Sequence, residues 1–204
     1  MPNLYAAALA TAAVGGVARG VAVIYAWVRT LLIRKEFVSF RFGRIELLNF
    51  FEPFLLLVAG YLLYRTIESM GPPGAVRTLL ATLGAALVLG GWALQVWAFL
   101  SWPSIFAGHG VLEDHKLVSR GAYAVVRHPA YLVPMLIWLG LGVAFLNPLV
   151  IATAILYVIP NYVLYLRAEE RMMLESFGDE YRDYRRKVPM LIPRLARRQS
   201  RNGE

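Results

Sequence analysis

The chain has no cysteine, which excludes disulfides, thiolate nucleophiles and every Cys-based metal site. Its three histidines, His109, His115 and His128, fall in one polar loop without the spacing of a metal motif such as H-E-x-x-H. Charge is also scarce. Asp, Glu, Lys and Arg make up 17% of the 204 residues, against roughly 25% in soluble proteins. No G-x-G-x-x-G follows a strand: Gly108-His109-Gly110 lacks both a further glycine and a strand–helix context, which excludes a Rossmann-type nucleotide site.

What the chain does have is apolar length. Hydrophobic residues reach 58%, gathered into runs at about 4–28, 45–64, 76–100, 130–146 and 149–166. A bilayer core about 30 Å thick needs roughly 20 apolar residues as a helix. The prediction is therefore an all-α polytopic integral membrane protein with about five transmembrane helices plus cytosolic interfacial helices. The N-terminal run has no leading basic region and exceeds a signal-peptide core, so it reads as a retained span. The pair Asn147-Pro148 reads as a tight turn between the last two spans. One domain is expected over 1–204, made of a three-span part at 1–100, a hairpin and C-terminal segment at 101–193, and a basic tail at 194–204.

The net charge of +8 does not imply nucleic acid, because the basic residues flank apolar spans, where they meet anionic headgroups. With the N-terminus outside, 18 of the 21 Lys and Arg lie in inside segments, as the positive-inside rule requires of a cytosolic C-terminus. Arg19 falls near the middle of the first span, where a charge is costly, and Asn49 and Glu52 in the second span are candidate partners for it.

Two polar stretches bracket the final helical hairpin. The first is His115-Lys116-Leu117-Val118-Ser119-Arg120-Gly121-Ala122-Tyr123, followed by Arg127-His128-Pro129-Ala130-Tyr131. The second contains Arg167, Glu169-Glu170, Phe177-Gly178-Asp179-Glu180-Tyr181, Tyr184, Val188-Pro189 and Pro193. A hairpin returns the chain to the side it left, so both stretches should meet at one cytosolic mouth. Asn161, Tyr165 and Glu169 are spaced four apart and should share a helix face there.

These stretches, over about 108–193, resemble the isoprenylcysteine carboxyl methyltransferase family and its wider relatives, the phospholipid methyltransferases. The resemblance implies an S-adenosyl-L-methionine-dependent methyltransferase acting on a lipophilic or lipid-modified acceptor beside membrane lipids. It further implies that His115, Lys116, Leu117, Val118, Tyr123, His128, Pro129, Ala130 and Tyr131 line the cofactor site, with Glu169, and Glu170 beside it, contacting the cofactor. Three positions depart from the family pattern. Tyr165 stands where eukaryotic members place a substrate-binding arginine, with Arg167 half a turn on. Gly108 replaces a cofactor-binding glutamine, and Val133 a glycine.

The residue chemistry is compatible with that implication. A carboxylate such as Glu169 can pair with an ammonium, and Arg127 or Arg167 can orient an anionic acceptor through charge-assisted bonds. Tyrosine rings favour a nearby cation. Methyl transfer needs alignment more than a covalent nucleophile. Each residue also has a plainer reading: Tyr123 and Tyr131 as interface aromatics and Arg127 as a positive-inside residue. The acceptor is open between a prenylcysteine-like carboxylate, a phospholipid or small amine, and a small thiol. A non-catalytic transporter or assembly protein on the same scaffold is the rival from another class.

Overall fold

The computed structural model describes residues 74–102 and 116–193 throughout. It also describes the backbone of Phe37–Phe40 and Gly110–Leu112, and helical positions 10, 13, 14, 17, 20, 21, 24, 25, 28, 55, 58, 59 and 62. Arg19, Asn49, Glu52, Gly108, His115 and the 194–204 tail lie outside the described residues.

In chain order the elements are β1 (Phe37–Phe40), α1 (Ala75–Ser101), β2 (Gly110–Leu112), α2 (Ala122–Val125), α3 (Pro129–Phe145), α4 (Pro148–Thr153), a π-helical turn (Ala154–Val158) and α5 (Ile159–Lys187). Among the described residues, α1 and the helical stretch Pro148–Lys187 are long and apolar enough to cross a membrane; α3, at 17 residues, is shorter. The all-helical expectation needs one correction. β1 and β2 pair antiparallel, with Phe37 opposite Leu112, Ser39 opposite Val111 and Phe40 opposite Gly110. The aromatic and β-branched residues of Phe37-Val38-Ser39-Phe40 suit a strand. Its partner, however, lies some seventy positions on, a distance that local pattern does not reveal.

α1 and α3 cross at glycines. A Cβ added to Gly84 would collide with the backbone of Gly140 and Ala144, and one added to Gly140 would lie 2.7 Å from the Gly84 carbonyl. Backbone approach this close is how helices pack where lipid removes the usual hydrophobic incentive. Around the crossing lies the main core, including Val88, Val133, Ile137, Trp138, Leu141 and Phe145, continued by Val158 and Tyr162.

The turn between the last two helices forms as the sequence predicts. Leu146 adopts the left-handed conformation at φ 49°. Leu146 N–H donates to Val143 and Asn147 N–H to Gly142, the paired bonds of a Schellman stop. The Asn147 side chain then accepts from the amides of Leu149 and Val150, both at 3.1 Å, and starts α4. Further on, the backbone widens to π geometry over Ala154–Val158, just before Pro160. Proline lacks an N–H and its ring crowds the carbonyl four residues back; the wider turn makes room for it.

The charged segment after 166 continues the last apolar run: α5 runs unbroken as far as Gly178, which takes φ 52° and ψ −121° and separates a second helical piece from the first. The piece after this break, up to Lys187, is charged. Arg182–Asp179 and Arg186–Asp183 pair on its exposed face, and Arg185, Arg186 and Lys187 in its last turn suit the negative end of the helix dipole.

Candidate functional site

The hairpin brings its two flanking stretches together at the start of α3. Residues 126–128 form an extended corner whose amides reach across the molecule: Arg127 N–H donates to the Pro189 carbonyl at 2.8 Å and His128 N–H to that of Met190 at 3.2 Å. Pro129, fixed in φ, then starts the helix as its first residue. From α5, Glu169 and Glu170 project toward the same corner.

Three buried residues, Arg127, His128 and Glu170, interlock there. Arg127 Nε donates to Glu170 Oε1 at 2.7 Å, and Nη2 reaches the same oxygen at 2.5 Å. Arg127 Nη1 donates to the carbonyls of Arg185, at 3.2 Å, and Val188. His128 Nε2 lies 3.3 Å from Glu170 Oε1. A carboxylate only accepts, so that bond places the ring hydrogen on Nε2. Arg185 Nε stands 3.6 Å from the other Glu170 oxygen. Burial alone would raise the Glu170 carboxyl, but hydrogen bonds from His128 and Arg127 outweigh it and hold the group below the usual carboxylate range.

Glu169 is placed differently. Its Oε1 lies 3.8 Å from His128 Nδ1, beyond hydrogen-bond distance, while its Oε2 is buried without any hydrogen-bond partner among the described residues. The Tyr123 hydroxyl is likewise buried and unpaired. Burial, then the negative charge of Glu169, then Tyr184 push the Tyr123 phenol well above its ordinary range. Buried polar atoms are rarely left unsatisfied in folded proteins. Among the described residues, then, Glu169 Oε2 is an acceptor with room for a ligand's donor.

Aromatic rings build the walls. Tyr131 packs against Tyr165 with ring centroids 5.3 Å apart, against Tyr162 at 5.9 Å and against His128 at 6.0 Å. Trp102, just past α1, meets Tyr123 edge-on at 5.7 Å. Tyr184 donates from its hydroxyl to the Tyr123 carbonyl at 2.6 Å, tying the end of α5 to α2.

The sequence-selected residues divide accordingly. Tyr123, Arg127, His128, Tyr131, Tyr165, Glu169 and Glu170 converge on the corner. Pro129 is buried and Ala130 half-buried in the first turn of α3. Leu117 and Val118 are half-buried, Leu117 against Tyr181, Tyr184 and Val188 and Val118 against Ala98, Ala122 and Tyr123. Lys116 is exposed. Arg167 is exposed and two residues from both Tyr165 and Glu169, and residues two apart on a helix face different ways. Arg127 is buried and already engaged, its Nε and Nη2 with Glu170 and its Nη1 with two carbonyls. Sequence reasoning missed the carbonyls of Val188, Pro189 and Met190, which carry no side-chain signature, and the tether from Tyr184. It also missed Trp102 and Tyr162 as packing partners of the site tyrosines.

Comparison with known proteins points the same way. Over 83 residues the chain is 39% identical to the protein-S-isoprenylcysteine O-methyltransferase of Schizosaccharomyces pombe, covering 40% of this chain and 34% of that one. It is 43% identical over 83 residues to methanethiol S-methyltransferase 2 of Bradyrhizobium diazoefficiens, covering 38% and 29%. The match to the Xenopus laevis protein-S-isoprenylcysteine O-methyltransferase is longer, 32% over 137 residues, covering 63% and 46%. The matched stretches thus span less than half the length of these relatives. The family model for phospholipid methyltransferases matches residues 73–180, from the start of α1 to just past the Gly178 break. The chain belongs to the phospholipid methyltransferase family.

Proposed function

We propose that the chain transfers a methyl group from S-adenosylmethionine to a lipophilic acceptor at the cytosolic surface of a membrane, with an isoprenylcysteine-like carboxylate as the first candidate. The observation that carries this reading is Glu169, whose buried, unpaired oxygen sits in a mouth built from both arms of the final hairpin.

The residues present suit the cofactor's functional groups. Glu169 Oε2 would accept from its ammonium, as a charge-assisted bond in a shielded site. The Tyr123 hydroxyl would take a second polar contact, and the rings of Tyr131 and Tyr165 would shield the site from water and favour a cation beside them. S-Adenosylmethionine, when bound, supplies an electrophilic methyl group on a sulfonium. The protein's task is to align the acceptor and exclude water. A carboxylate acceptor attacks without first losing a proton, so no general base is required. An amine or thiol acceptor would need one. The reactants prefer different solvents, and a site at the end of the hairpin lies where those solvents meet.

The similarity to isoprenylcysteine O-methyltransferases of several organisms favours the carboxylate. The methanethiol S-methyltransferase relatives support a small thiol as the second reading, and Tyr165, in place of the family's substrate arginine, is in keeping with it. The five-span topology with its cytosolic C-terminus is part of the same proposal. The β1–β2 pairing supports it, because it joins two basic segments that the charge pattern assigns to one side.

Incubation with labelled S-adenosylmethionine and membrane extract, followed by identification of the labelled product, tests the activity and names the acceptor. Calorimetry with S-adenosylhomocysteine tests the site. Absence of heat with the wild-type protein, or binding undiminished in Glu169→Ala, would favour a non-catalytic membrane protein.

A further inference from the structure

The segment Val188–Pro193 leaves the end of α5 and crosses the corner at residues 126–128. It is held at both ends. Val188 packs with Tyr181, Tyr184 and Leu117 in one cluster, and Leu191 packs against the main core that contains Val133 and Tyr162. The Val188 N–H donates to the Tyr184 carbonyl at 2.9 Å, and three strap carbonyls accept from the corner: Val188 from the Arg127 side chain, Pro189 from the Arg127 amide and Met190 from the His128 amide. Two of its residues are prolines, which lack an N–H and hold φ near about −65°. Its outer edge is open, with Ile192 81% exposed.

Arg127 therefore joins three things: the strap, the carbonyl end of α5 and Glu170. We propose that Arg127 and Glu170 are positioning residues that bolt this strap across the cofactor mouth, governing cofactor retention without touching the methyl acceptor. The proposal rests on the mouth being the S-adenosylmethionine site. The two neighbouring carboxylates then divide the work: Glu170 neutralises the buried guanidinium and aims its fork, while Oε2 of Glu169 stays open to the ligand. The fork matters more than the charge. Guanidinium presents planar donors in fixed directions, whereas a lysine ammonium is a compact point charge on a flexible stem. Arg127→Lys thus separates the two roles. A residue that orients an anionic acceptor by charge tolerates lysine, but a bolt to a carboxylate and two carbonyls does not.

The chain's lack of cysteine makes a spin label at Ile192→Cys specific for the strap. In detergent or nanodiscs, this labelled protein is compared with the same protein carrying Arg127→Lys or Leu191→Ala. S-Adenosylhomocysteine affinity is measured by calorimetry, and acceptor KM is measured at saturating S-adenosylmethionine. Both substitutions are expected to raise label mobility and weaken S-adenosylhomocysteine by about tenfold or more, leaving acceptor KM within about twofold. Leu191→Ala loosens the strap without altering the ion pair, so it decides the matter if Arg127→Lys fails to fold. Raised acceptor KM with unchanged label mobility and S-adenosylhomocysteine affinity would overturn the proposal and return Arg127 to the acceptor. A mobile strap with undiminished affinity would overturn it too, as the strap would then be scaffold alone. A wild-type protein that binds no S-adenosylhomocysteine would instead remove the cofactor reading itself.

Discussion

Arg127 grips a single oxygen of Glu170 twice, through Nε at 2.7 Å and Nη2 at 2.5 Å, while Oε2 of the adjacent Glu169 has no hydrogen-bond partner among the described residues. Two consecutive glutamates on one helix therefore have different fates, and their substitutions should separate cleanly.

Glu169→Gln is expected to weaken S-adenosylhomocysteine by about 10- to 100-fold, since hydrogen bonds to charged groups contribute roughly 1.5–3 kcal/mol. Its thermal stability should stay close to wild type. Glu170→Ala should lower stability by about 3–5 kcal/mol, because it strands a buried guanidinium without its counter-ion. Unfolding scans in detergent alongside calorimetry check both. Equal stability losses at the two positions would contradict the division of roles.

Stability should fall with acid through Glu170. The fold depresses its carboxyl, so its contribution is complete above the unfolded-state value of about 4.3 and disappears as pH drops through the lower folded-state value. Glu170→Gln carries no such titration and should show a flatter acid limb. Melting temperatures from about pH 7 down to about pH 3 provide the comparison; parallel limbs for the two proteins would count against the pairing.

Gly121 and Gly178 both take positive φ, 58° and 52°, but their surroundings differ. A Cβ at Gly178 meets open space, whereas one at Gly121 collides with the Ser101 hydroxyl, which itself accepts from the Ala122 amide at 3.0 Å. Gly178→Ala should cost only the strain of holding an L-residue at φ 52° and ψ −121°, about 1–3 kcal/mol. Gly121→Ala adds a steric clash and the loss of that bond, and should be clearly worse. Relative melting temperatures settle the order.

Tyr184→Phe removes the bond to the Tyr123 carbonyl and leaves the ring in place. A stability loss near 1 kcal/mol is expected, together with weaker S-adenosylhomocysteine binding because α2 and Tyr123 lose their tether. Binding identical to wild type would show that Tyr123 does not depend on that link.

The amino-acid sequence by itself settled the class of molecule and the ends of its best-defined helices. Apolar length and scarce charge marked the segments at 76–100 and 149–166, which lie within α1 and the helical stretch from Pro148. Asn147-Pro148 marked the turn between the 130–146 and 149–166 segments, because capping and proline geometry are local properties. Proximity of the His128 and Glu169 stretches was also legible, since a hairpin must return to its starting side. What each side chain does on arrival was not. Whether Arg127 faces a ligand or a carbonyl depends on where the backbone of Val188 and Pro189 comes to rest, and carbonyls leave no trace in residue identity. Arg167 looked available beside Tyr165 until the helix turned it outward. The pairing of Phe37–Phe40 with Gly110–Leu112 likewise awaited the tertiary structure. Local pattern encodes helices, caps and turns within a few residues of the sequence that makes them, whereas the choice of partner between distant segments is made only when the packed chain brings them together.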